Sequence, residues 1–392
     1  MSPARCSIEG VPAPHAIDEL RDEQRLPLSN GLPGEITVPD KRKLVVRFKQ
    51  WYDPAMEARF AREPDIELRT VDREGDPDLV WPHLAQAHAF QVSSAKDELP
   101  RRWFVTPELL ARCPNLLCVS SNGAGYDTID VAACTRAGVL VVNQAGVNAQ
   151  SVAEHAIGLM LDVTRRISEN DRLLRKERGY TREDIMGREM SGKVLGLVGI
   201  GHIGTRVAKL ARAFDMEVLA VDPYLTEEEI TRRGAKASTF EELLQRSDFV
   251  SLHCPRDQDT LKMMNAAAFA RMKKGAVLVT TARGGIHDEA ALLDALTSGH
   301  LLGAGLDVWE KEPPPLDHPL LQQPNVVATY HTAGVTHEAR RGMATYAAEQ
   351  IVGILKGGRP PRLINPDVWP TYAKRFEAVL STRAQQEVQD LD

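Results

Sequence analysis

Cysteine is scarce in this chain, and its spacing would not build a zinc site. Five residues (Cys6, Cys113, Cys118, Cys134 and Cys254) occur in 392 positions, an odd number with no CxxC pair. That pattern argues against a disulfide framework and fits reduced thiols in a cytoplasmic protein, with no metal expected. Long apolar runs are also missing: nowhere do about 18 apolar residues follow one another. The opening MSPARCSIEGVPAPHAIDELRDEQ lacks a basic stretch followed by an apolar one, so neither secretion nor membrane spanning is expected. No excess of one sign exists either, with 48 basic and 54 acidic residues interspersed for a net charge of −6. Such a balance leaves no footprint for a nucleic-acid backbone or an anionic membrane, and makes small molecules the expected partners. No repeat on the order of 20 to 50 residues is visible, which excludes a solenoid.

What is present is the composition of a globular protein, 43% apolar and 26% charged, and a length that suggests two domains. Residues 1–41 are rich in proline and charge without periodicity and read as an N-terminal arm. From KLVVRF onward, short β-branched runs (IELRTV, AHAFQV, LLCVSS, VLVVN) alternate with helical stretches, the pattern of a parallel sheet. Residues 151–177 read as one long helix, with Ser151 as its cap and Glu154 at the capping-box position. Six strands then follow from KVLGLVG to NVVATY, which predicts a doubly wound domain. A helix from about residue 337, with Met343, Ala347, Ile351 and Leu355 on one face, is expected to cross back to the first domain. The expected boundaries are 42–150 for the first part of one domain, 151–330 for the second, and 331–392 for the return and tail.

GLVGIGHIGTRVAKLARAFDMEVLAVD places Gly199, Gly201 and Gly204 directly after a strand and at the start of a helix. Glycines there allow a tight turn and a close backbone approach to a pyrophosphate, while the free amides of His202 and Ile203 attract the anion. Ile203, Val207, Leu210 and Phe214 are expected to pack this helix on its sheet. Asp222 ends the next strand, where a carboxylate accepts hydrogen bonds from the adenosine ribose and repels a 2′-phosphate. NAD is therefore the expected cofactor.

Three later strand ends carry polar groups. VLVTTARGG places Arg283 after one, GLDVWEKEPP places Asp307 and Glu312 after the next, and VVATYH ends a third with His331. A guanidinium can hold a carboxylate bidentately, and an imidazole beside a carboxylate can move a proton.

Taken in order, GAGYDTIDVAA, NAQSVAEHAIGLML, the glycine loop, SLHCP, ARGG, GLDVWEKEP and HTAG resemble the D-isomer-specific 2-hydroxyacid dehydrogenase family over roughly residues 42 to 365. The resemblance implies two doubly wound α/β domains, with a Rossmann NAD-binding domain inserted in a discontinuous flavodoxin-like substrate domain. It also implies a homodimer acting on a 2-hydroxy or 2-keto acid. By the same resemblance Arg283 orients the substrate, Glu312 pairs with the histidine, and His331 is the acid/base. The amides of Ala124 and Gly125 are expected to bind the substrate carboxylate and Asp307 the nicotinamide carboxamide. Pro255, Thr281, Ala282, Ala333 and Gly334 are expected to line the cofactor.

Several positions depart from the family pattern or bear on rival readings. Thr280 and Tyr330 stand where many relatives carry asparagine and proline. Formate dehydrogenases have glutamine in place of Glu312, which argues against formate. Corepressors of the same fold, acting as NADH-responsive binding proteins, are the alternative of another class. The chain ends soon after INPDVWP, so no regulatory domain is expected. Finally, FQVSSAKDELPRRWFVTPELL passes from strand to helix through a longer segment than usual. It is expected to fold over the substrate, with Arg101 or Arg102 available to an anionic tail.

Overall fold

The computed structural model describes residues 42–382 and 384; the arm assigned to 1–41 lies outside the described residues, as do most residues after 382. Two fully parallel sheets organise the described chain. The first comprises β1 (Lys43–Phe48), β2 (Ile66–Val71), β3 (Ala89–Ser93), β4 (Cys118–Asn122) and β5 (Leu140–Val142) in the order β2-β1-β3-β4-β5. The second comprises β6 (Val194–Val198), β7 (Glu217–Val221), β8 (Lys236–Ala237), β9 (Phe249–Leu252), β10 (Ala276–Thr280), β11 (Leu301–Leu306) and β12 (Val326–Ala328), ordered β12-β11-β10-β9-β6-β7-β8. Both orders reverse once, beside β1 and beside β6, and such reversals open a crevice at the carboxyl ends of the strands.

Central strands such as AFQVS and AVLVT are buried at every position, because helices cover both faces of a parallel sheet and leave no solvent side for alternation. The edge strand IELRTV buries only its two ends. Strand β8, two residues long, was absent from the six-strand expectation, being too short to carry a period.

The single helix expected over 151–177 is instead two, Ala149–Arg165 and Ile167–Lys176, broken at Arg166, whose φ of 54° is left-handed. The first begins before Ser151, and no capping box forms: Ser151 Oγ meets Thr336 Oγ1 at 2.9 Å, while Glu154 accepts from Gln150. Its face of Ala153, Ala156, Met160 and Val163 packs on the second sheet. The helix His202–Ala213 packs through Gly204, Val207, Ala208 and Ala211, whereas Phe214, expected on that face, terminates the helix and is exposed. Small residues allow the helix to lie close to β6.

Helix His337–Leu355 packs its Ala344, Ala347, Ala348 and Ile351 against Val45, Met56 and Leu117 of the first sheet's core. Helix Trp369–Leu380 adds Tyr372 and Phe376 to the same core. No helix among the described residues is long and apolar enough to cross a membrane.

Candidate active site

The carboxyl ends of β3, β4, β10, β11 and β12 surround a cleft of about 470 Å³. Ala124, Gly125, Ile203, Thr281, Arg283, Asp307, Glu312, His331, Ala333 and Gly334, each singled out in the sequence, all line it. Their convergence from distant stretches follows from parallel strands that deliver every loop to the same edge.

His331 is held from both sides. Its backbone has φ of 48°, a left-handed conformation uncommon for a side-chain-bearing residue. Asp307 imposes it: the Asp307 carbonyl accepts from His331 N at 2.6 Å, and its carboxylate accepts from Thr332 N at 2.8 Å and Ala333 N at 3.0 Å. Thr329 Oγ1 donates to the same carboxylate at 2.6 Å and meets His155 Nε2 at 3.0 Å. Asp307 is fully buried at the cleft wall, and both of its oxygens accept from the turn that carries His331.

The imidazole Nδ1 of His331 lies 2.9 Å from Glu312 Oε2, and Glu312 Oε1 accepts from Trp309 N at 3.1 Å. Burial depresses the His331 pKa, but the hydrogen bond and charge of Glu312 outweigh it and leave the pKa raised. Burial likewise pushes Glu312 up, and its bond to His331 and the charge there reverse this to a net lowering. Both shifts stabilise a charged pair.

Arg283 donates from Nε to Asp127 Oδ2 at 3.3 Å and from Nη1 to the Ala282 carbonyl at 2.7 Å. Arg256 reaches the other Asp127 oxygen at 3.5 Å. The Arg283 Nη2 lies so close to Gly125 that a Cβ there would come within 2.2 Å of it and displace the guanidinium. In the same turn the Ala124 and Gly125 carbonyls accept from Asn143 Nδ2 and Ser121 Oγ. Their amides have no acceptor among the described residues. A guanidinium and two free amides thus share one end of the cleft, an arrangement suited to a carboxylate.

Sequence reasoning gave Asp127, Arg256 and His155 no role, although each lies in or next to a quoted motif; their function depends on partners more than 100 positions away. The long segment after β3 reaches the cleft as expected, but its arginines do not. Lys96, Asp97 and Glu98 line the cleft, but Arg101 and Arg102 do not. Trp103 is fully buried and donates to the Arg73 carbonyl, and Arg102 donates to the same oxygen at 2.9 Å. This anchoring turns the two arginines away from the cleft.

The glycine loop lies beside the cleft at the end of β6. Gly199 has φ of 90°, and a Cβ on Gly204 would come within 2.4 Å of the Gly199 carbonyl, so neither tolerates a side chain. A Cβ on Gly201 would meet nothing within 4 Å, which leaves open space at the helix start next to His202 and Ile203. Asp222 accepts from Ile200 N at 3.0 Å, holding the loop against the end of β7. Pro255 is exposed beside Arg256, and Ala282 is buried behind Arg283.

A family model described as "D-isomer specific 2-hydroxyacid dehydrogenase, NAD binding domain" matches residues 157–333. A glyoxylate reductase from Korarchaeum cryptofilum is 39% identical over 267 residues, 67% of this chain and 80% of its own. The chain belongs to the D-isomer specific 2-hydroxyacid dehydrogenase family. Within that family a D-3-phosphoglycerate dehydrogenase from Archaeoglobus fulgidus is 42% identical over 268 residues, 68% of this chain and 51% of its own length. The chain thus spans about half the length of the phosphoglycerate dehydrogenases it matches. Among solved structures, a D-lactate dehydrogenase from Aquifex aeolicus with NAD and lactic acid superposes with a TM-score of 0.69 at 28% identity, covering 80% of this chain and 96% of its own.

As a member of this family the chain carries an NAD-binding domain over 157–333. Its residues fit the cofactor on their own evidence. The glycine cradle leaves room at a helix N-terminus. Thr281 Oγ1, buried at the cleft wall, has no hydrogen-bond partner and is available to a ligand.

Proposed function

We propose that the protein is an NAD-dependent oxidoreductase acting between a D-2-hydroxy acid and its 2-keto acid, with His331 as acid/base, Glu312 as its partner and Arg283 orienting the substrate. The observation that carries this reading is the 2.9 Å contact between His331 Nδ1 and Glu312 in the cleft that Arg283 also lines. Bound NAD supplies the hydride acceptor for oxidation and the donor for reduction at C2.

The protein's share is positioning and proton transfer. With Nδ1 committed to Glu312, Nε2 of His331 is the ring nitrogen left for the substrate oxygen. In oxidation, neutral His331 takes the hydroxyl proton at Nε2, and Glu312 stabilises the imidazolium. In reduction, protonated His331 returns that proton to the carbonyl oxygen. Arg283 and the amides of Ala124 and Gly125 hold the carboxylate, so the remaining substituents at C2 are ordered around a fixed point, the basis of stereoselection. Asp127 keeps the Arg283 guanidinium in place and offsets part of its charge. The family match, the glycine cradle and the strand-end cluster agree with this reading.

The test is a panel of 2-keto acids assayed by loss of NADH absorbance, together with His331→Ala. Turnover of at least one acid is expected, and His331→Ala is expected to lose roughly 100- to 10,000-fold in kcat. No consumption of NADH with any acid, or undiminished turnover in the variant, overturns the reading.

A further inference from the structure

A side chain anchored on the first sheet reaches the glycine loop of the second. Arg362 sits on a segment clamped to β5: Leu363 bridges Val142, Ile364 N donates to the Val141 carbonyl at 2.8 Å, and Asn365 Oδ1 accepts from Val141 N at 2.9 Å. From there its guanidinium extends past helix His337–Leu355, where Nε donates to Tyr346 Oη at 3.1 Å, and Nη1 ends 3.3 Å from Nε2 of His202. His202 is the first residue of the helix that opens at Gly201. Its ring lies against Gly146, just beyond β5, where a Cβ would come within 3.1 Å of it. The two domains therefore meet in side-chain contact where the loop turns into its helix. The family match that contains this loop, over 157–333, does not extend to Arg362.

The charges at this meeting point are of one sign. Arg206 donates from Nη1 to the His202 carbonyl at 3.1 Å, and Arg233 from Nη1 to the Ile200 carbonyl at 2.8 Å, so with Arg362 three guanidiniums touch the loop and its first helical residue. None of the three has a carboxylate partner among the described residues. Asp222, the carboxylate at the loop, accepts from the backbone of Ile200 and Tyr224 instead. Burial, and then the charges of Arg362, Arg206 and Arg233, hold the His202 pKa below its ordinary value. The ring is thus neutral and accepts from Arg362 at Nε2. A neutral imidazole is a weaker partner for a guanidinium than an anion is, and three like charges around one loop repel one another until an anion joins them. Gly201 leaves the open space for it at the helix start.

We propose that Arg362 is a cofactor-binding residue: it exchanges the His202 imidazole for the diphosphate of NAD, so that the dinucleotide is gripped by the glycine loop of one domain and by a cation anchored on the other. The inference deepens the oxidoreductase reading and rests on its cofactor alone, not on the identity of the acid.

The experiment titrates the full chain with NADH and with ADP-ribose by calorimetry, in the wild type, Arg362→Gln and Arg362→Lys. Adenosine, which lacks the diphosphate, is the control, measured by its displacement of NADH. Arg362→Gln is expected to raise Kd for NADH and for ADP-ribose about tenfold, the order of a hydrogen bond to a charged group. Arg362→Lys keeps the charge without the planar fork and is expected to lose less. Adenosine is expected to bind all three proteins alike. Unchanged Kd values in Arg362→Gln, or equal losses for adenosine and ADP-ribose, overturn the inference and leave the oxidoreductase reading standing. NADH binding without turnover of any acid in the wild type removes the oxidoreductase reading, and the Kd comparison then decides the role of Arg362 by itself. A wild type that binds neither NADH nor ADP-ribose rejects both.

Discussion

The hydroxyl of Tyr330 donates to Asp97 Oδ2 at 2.6 Å. This bond joins the residue just before His331 to the segment after β3, and so ties two walls of the cleft together. The Asp97 bond, followed by burial, pushes the Tyr330 pKa up to about 12, which keeps the hydroxyl a donor at working pH.

Tyr330→Phe is expected to raise KM for 2-keto acids and lower kcat/KM about 3- to 10-fold, the equivalent of one hydrogen bond of about 0.5–1.5 kcal/mol. Asp97→Asn keeps an acceptor oxygen and is expected to lose less. Steady-state kinetics decides: a Phe variant with wild-type KM removes the tie from substrate binding.

Glu312→Gln is expected to lower the His331 pKa, since the pairing is what raises it. Reduction uses protonated His331, so the alkaline fall-off of keto-acid reduction should move to lower pH. The stability linkage has two sides. A raised histidine pKa contributes stability that is complete below the ordinary histidine value, about 6.5, and lost as pH rises through the folded value. The lowered Glu312 pKa contributes stability that is complete above the ordinary glutamate value, about 4.3, and lost as pH falls through the folded value. The pair therefore stabilises the fold most between those limits, and Tm measured against pH should flatten in Glu312→Gln. An unchanged pH–rate profile removes the pairing from the mechanism.

Asp307→Asn replaces one carboxylate oxygen with an amide donor that faces either Ala333 N or the pair Thr332 N and Thr329 Oγ1. A buried group left so mismatched costs about 1–3 kcal/mol. His331, released from its left-handed conformation, is expected to lose its alignment with Glu312. Both a lower Tm and a kcat reduced at least tenfold are expected. A variant with wild-type Tm and kcat would show that the turn holds without Asp307.

In the proposed role of Asp222 as reader of the ribose hydroxyls, its charge opposes a 2′-phosphate. The wild type is expected to use NADH with at least about 100-fold higher kcat/KM than NADPH, the order of a few kcal/mol of charge repulsion in a partly desolvated site. Asp222→Ala should narrow the ratio. Equal efficiencies in the wild type contradict this role for Asp222.

Much of this protein was legible in the sequence, because local signals report local physics. Continuous apolar runs marked the strands of the parallel sheets, down to the edge strand β12, of which only Val326 is buried. Gly199 and Gly204 marked a backbone that admits no side chain. Arg283, Asp307, Glu312 and His331 were readable at strand ends, where parallel topology gathers chemistry at one edge. Signals that act through shape or distance were not legible. The helix break at Arg166 carries neither glycine nor proline; its φ of 54° is a property of the packed backbone. Arg101 and Arg102 were drawn from the cleft by the burial of Trp103, an energetic choice made by the core. Asp127 meets Arg283 across 156 positions, and Tyr330 meets Asp97 across 233. The sequence by itself determined which residues could bind, orient and move a proton, since that follows from side-chain chemistry. Only the tertiary structure decided which of them share a cleft and which cations remain without a partner there, because the length of chain between two residues says nothing of their separation once the sheets are packed.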